Sequence, residues 1–68
     1  MIAHALLGFR IYVFVDADRR DVFIAENPDA HRLSPAEAGK LIAKHGMDQS
    51  PLLTAPEHQE RGLLYVWS

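Results

Sequence analysis

The segment Phe9-Arg10-Ile11-Tyr12-Val13-Phe14-Val15 constrains this chain most. Its odd positions, Phe9, Ile11, Val13 and Val15, are all apolar, and its even positions include Tyr12 and Phe14. A strand alternates its side chains between two faces, so this one is apolar on both and belongs inside a sheet covered on both sides. The chain has 68 residues, and one domain of that size buries only about 60% of the surface its unfolded chain exposes. The expectation is a single small domain, 1–68, whose sheet outruns the cover that one chain provides and turns to a partner, a second copy of itself first.

Composition removes several classes. Hydrophobic residues make up 49% of the chain, which argues for an ordered core. There is no cysteine, so disulfides and thiolate metal sites are excluded. Seven Lys and Arg stand against nine Asp and Glu for a net charge of −2. That is a poor footprint for nucleic acid or an anionic membrane. No apolar run reaches the roughly 20 residues of a membrane span. The apolar start Met1–Leu7 lacks the basic region of a signal peptide. A cytoplasmic protein is expected.

The second apolar run, Val22-Phe23-Ile24-Ala25, follows the polar stretch Asp16–Asp21 and reads as the return strand of a hairpin, ended by Asn27-Pro28-Asp29. Residues 1–8 read as an extension of the first strand with a bulge or bend at Gly8. The spacing predicts a helix over 35–45. Ser34 is its N-cap, Pro35 takes the first helical position, and Glu37 completes a capping box. Ala38, Leu41, Ile42 and His45 form one largely apolar stripe. Gly46 suits a left-handed ending with Met47 folding back on Ile42, while Gly39 is a weak point unless the helix backbone passes close to the sheet. Residues 54–61 repeat the cap signal and predict one or two helical turns before Gly62. Leu63–Trp67 is the last strand. The resulting fold class is α+β, in β-β-α-β order. It has a three-stranded, mainly antiparallel sheet of order 2-1-3 and one helix packed on one face. Ala38, Leu41 and Ile42 lie on the odd residues of the first strand, and Tyr12 and Phe14 face outward.

Motifs that carry chemistry are few. Asp16-Ala17-Asp18 starts like a calcium loop, but Arg20, Asp21 and Asn27 stand where that loop needs an oxygen ligand, Gly and Glu. His4, His31, His45 and His58 have no metal-ligand spacing. Ser34 is taken as a cap and Ser50 is flanked by proline, so no nucleophile with a base is visible. No cofactor, no metal and no enzymatic activity are expected. The function expected is a small protein-interaction module, of the inhibitor or adaptor kind found in phages and mobile elements, acting as a homodimer or on a larger protein. Tyr12, Phe14, Tyr65 and Trp67 are the anchors expected, with Arg10, Arg19 and Arg20 as polar contacts, because aromatic and Arg side chains dominate binding hot spots. The alternative is an RNA-binding regulator that stacks bases on the same open aromatic face.

Overall fold

A computed structural model describes residues 1–50 and 56–68. The order is β1 (Ala3–Leu7), β2 (Arg10–Phe14), α1 (Ala17–Glu26), β3 (His31–Leu33), α2 (Pro35–His45), α3 (Pro56–Glu60) and β4 (Leu63–Trp67). The fold is α+β, with an antiparallel sheet. It has four strands in the order β3-β1-β2-β4, not three in the order 2-1-3. The expected central strand is β2, flanked by β1 and by β4. The antiparallel pairing of β4 with it is as the sequence suggests.

Gly8 explains the extra strand. Leu7 pairs with Arg10 across a two-residue connection, Gly8-Phe9. Gly8 has φ 62° and, among the described residues, no non-glycine residue has positive φ, the pattern of a type II′ hairpin turn. Residues 1–8 therefore do not lengthen the first strand. The chain reverses at Gly8, and Ala3–Leu7 runs back alongside as β1. Phe9 leaves the strand for the turn, and Val15 lies beyond its end.

The largest correction is α1. The expected turn and return strand over 16–25 form one helix. Asp16 adopts extended backbone and its Oδ1 accepts from the Arg19 N–H at 2.8 Å, an N-cap, with Asp18 in the positive first turn. Asn27 closes the far end: its side-chain amide donates to the Phe23 carbonyl at 2.8 Å. Residues that favour turns favour helix caps for the same reason, an oxygen that accepts from nearby backbone. The short strand β3 after Asn27, unforeseen in the sequence, pairs with β1, with His4 opposite Leu33.

The sheet is covered on both faces, and the core divides accordingly. On one side Phe23 and Ile24 of α1 pack on Ala5, Tyr12, Phe14, Leu63 and Val66. On the other, Ala38, Leu41 and Ile42 of α2 pack on Ile11, Val13 and Leu33, joined by Met47, Tyr65 and Trp67. The expected contact of α2 with the odd residues of β2 is present at Ile11 and Val13. The cap pattern of α2 is also as expected: Ser34 N–H donates to Glu37 Oε1 and Glu37 N–H to Ser34 Oγ, each at 3.1 Å. Gly46 is left-handed at φ 57°, and Met47 N–H donates to the Ile42 carbonyl at 3.1 Å, the Schellman bond. Gly39 has no sheet against it; a Cβ there would meet nothing within 4 Å. Helix α3 covers part of the expected 54–61 turn. Residues 54 and 55 lie outside the described residues.

Candidate functional site

The seven residues expected to bind a partner do not share a surface. Phe14 is 2% exposed and belongs to the core. Tyr12 is half-buried, and the Phe23 ring sits 4.8 Å from the Tyr12 ring and 5.1 Å from the Phe14 ring. The open sheet face expected to carry these two aromatics is thus covered by α1. Tyr65 and Trp67 lie on the opposite face beside α2, half-buried and edge-to-face at 6.1 Å. Arg19 donates from Nη1 to the Glu60 carbonyl at 2.7 Å and ties α1 to α3. Arg20 and Arg32 converge on Asp21 Oδ1 at 3.1 and 3.2 Å, joining α1 to β3. Arg10 alone of the seven is exposed at the hairpin end without an ion-pair or hydrogen-bond partner among the described residues.

The aspartates of the calcium-like stretch have structural work instead: Asp16 caps α1, and Asp21 holds two arginines. Among the described residues no three His, Cys, Asp or Glu side chains gather as metal ligands would. Among the described residues His4 is the one buried polar residue, 7% exposed on β1, and its Nδ1 has no hydrogen-bond partner. Burial, and next the nearby Arg20 charge, lower its pKa from the ordinary 6.5. On the surface, the hydrogen bond from Ser34 N–H, more than the Ser34 hydroxyl, holds the Glu37 carboxyl below its usual range.

Two clefts open on the surface. One, of about 320 Å³, lies between α1 and α3 over Phe14, Val22 and Phe23, with Arg19, Glu26, Glu60 and Arg61 around it. The other, of about 390 Å³, opens beside the β1–β2 turn. Leu6, Ile11, Leu41 and Met47 make its walls, and Phe9, His45 and Ser68 stand at its rim. His45 and Ser68 line the second cleft, and among the described residues no hydrogen bond joins their side chains. The sequence pattern places Phe9 in the strand and not among the contacts; in the turn it is 96% exposed. The signal for it was the glycine before it, which makes a two-residue turn and so places the aromatic at the tip. Among the described residues no helix is long and apolar enough to cross a membrane. Comparison with protein-family models, with curated proteins and with solved structures finds no match.

Proposed function

We propose that the chain is a small, non-enzymatic protein-interaction module of the cytoplasm, of the inhibitor or adaptor kind, which acts by occupying a surface of another protein with its β1–β2 hairpin end. The observation that carries this reading is Phe9. A whole aromatic side chain is held in water by a tight turn, beside a cleft walled by Leu6, Ile11, Leu41 and Met47. It contributes nothing to this chain's own core. Aromatic knobs beside apolar clefts are the usual anchors of protein interfaces. The cleft beside Phe9 is walled by apolar side chains, with His45 and Ser68 as its polar residues, which suits docking better than turnover. The RNA-binding alternative depended on stacking at Tyr12 and Phe14, and α1 lies over both. The test is capture of binding proteins from a cell extract on immobilised wild type and Phe9→Ala, with Val22→Ala as a control that removes another exposed apolar side chain. The reading predicts that Phe9→Ala alone loses its captured protein with thermal stability unchanged. Equal capture by wild type and Phe9→Ala would refute it.

A further inference from the structure

His4 lies inside the sheet with its Nδ1 unpaired. As a neutral imidazole with its proton on Nε2, it leaves an unpaired acceptor in the core. An imidazolium donates from both nitrogens, so protonation adds a charge, and a donor where no acceptor stands. Opposite His4 across the two ladders are Val13 of β2 and Leu33 of β3. Both belong to the half of the core under α2, to which that helix brings Ala38, Leu41 and Ile42. The charged group that acts on His4 is Arg20 of α1, a cation. Asp21 beside it is shared between Arg20 and Arg32. His31 of β3 stands opposite Leu6 and is exposed. Around a protonated His4 these elements set apolar side chains and a like charge.

The way out to water is shorter on one side. In the order β3-β1-β2-β4, two strands lie beyond His4 in one direction and the single strand β3 in the other. β3 is three residues long, and Leu33 is its one buried residue. Arg32 ties it to Asp21 at 3.2 Å, but both side chains are exposed and such pairs hold weakly. β2, by contrast, is paired on both sides and holds Ile11, Val13 and Phe14, each at most 2% exposed. We infer that His4 is an acid-sensitive latch on the β3 edge: when it is protonated, β3 leaves β1 while β1, β2 and β4 stay paired. The opened edge presents backbone N–H and C=O groups of β1 to which another strand can add. Burial and the Arg20 charge hold the His4 pKa below the ordinary 6.5 in the closed form, so the open form binds the proton more readily. Opening therefore grows as pH falls below 6.5.

Amide exchange of the full chain, followed by NMR at about pH 7.5 and about pH 5 and corrected for the intrinsic rate at each pH, tests this. The amides bonded across the β1–β3 ladder should lose protection by about tenfold at the lower pH. The ceiling is about thirtyfold, because pH 5 lies about 1.5 below the ordinary 6.5. Amides bonded across β1–β2 and β2–β4 should keep their protection. His4→Leu should abolish the pH response of the β1–β3 ladder, and His31→Gln should retain it. Titration of the His4 ring signals in the wild type gives a second readout that needs no variant: they should move over the same pH range as the loss of protection. Protection lost evenly across all strands overturns the latch, as does protection kept at pH 5. The same loss in His4→Leu, or a His4 titration out of step with it, overturns it too.

Discussion

His4 holds an imidazole inside the sheet, opposite Val13 on one side and Leu33 on the other, with Nδ1 unpaired. Protonation there adds a charge to a buried site near the Arg20 guanidinium, so the folded chain takes up the proton less readily than the unfolded one. Its pKa is depressed on folding. Stability is therefore full above the ordinary value of 6.5 and falls as pH drops below it, because the unfolded state then binds the extra proton. Melting temperature should fall between about pH 7.5 and about pH 5.5, and His4→Leu should flatten much of that fall. An equal fall in both proteins would remove His4 as the cause. Gly62 is a second single-residue constraint. It has φ 73°, and a Cβ there would meet Arg19 Cγ at 2.8 Å and Val15 Cγ1 at 2.9 Å. Its carbonyl also receives the Val15 N–H at 2.8 Å. Gly62→Ala should cost about 1–3 kcal/mol from the left-handed backbone and the crowding together, read by denaturant unfolding.

At the scale of elements, caps decide the helices. Asp16→Ala removes the bond to Arg19 N–H and should destabilise by about 1 kcal/mol, with loss of helical signal confined to α1. Gly39→Ala should stabilise by about 0.5–1 kcal/mol, since the site is helical and open on all sides; unfolding in urea measures both. Helix α2 and strand β4 were legible in the sequence because their signals agree. For α2 the capping box, the apolar stripe and Gly46 all mark the same span. Helix α1 was not legible for a physical reason. Val22–Ala25 is a four-residue apolar run that fits a strand or one helical turn equally, and only Phe23 and Ile24 of it face the core. Asp16 and Asn27 serve a turn as readily as a cap. Strand β3 is three residues long, carries His31 and Arg32, and exists only because β1 is there to pair with it. The two-faced apolarity of β2 was read correctly as burial on both sides. Which residues covered the second side was not local information, and the candidate contacts at Tyr12 and Phe14 went into the core with it.

For the whole molecule, the arrangement is a four-stranded sheet with α1 on one face and α2 on the other. The chain supplies the cover that its size had suggested it would need from a partner. What it leaves uncovered is concentrated at the hairpin end, where Phe9 stands free beside the cleft of Leu6, Ile11, Leu41 and Met47. On the proposed function, contact with another protein is made at that end and not on the sheet. Amide chemical shifts of the isotope-labelled wild type, followed on addition of the protein it captures from cell extract, measure where that contact falls. Shifts over Leu6–Ile11, Leu41 and His45–Asp48 are expected, with Tyr12, Phe14 and α1 unmoved. Shifts centred on α1 and the sheet beneath it overturn the proposed contact surface.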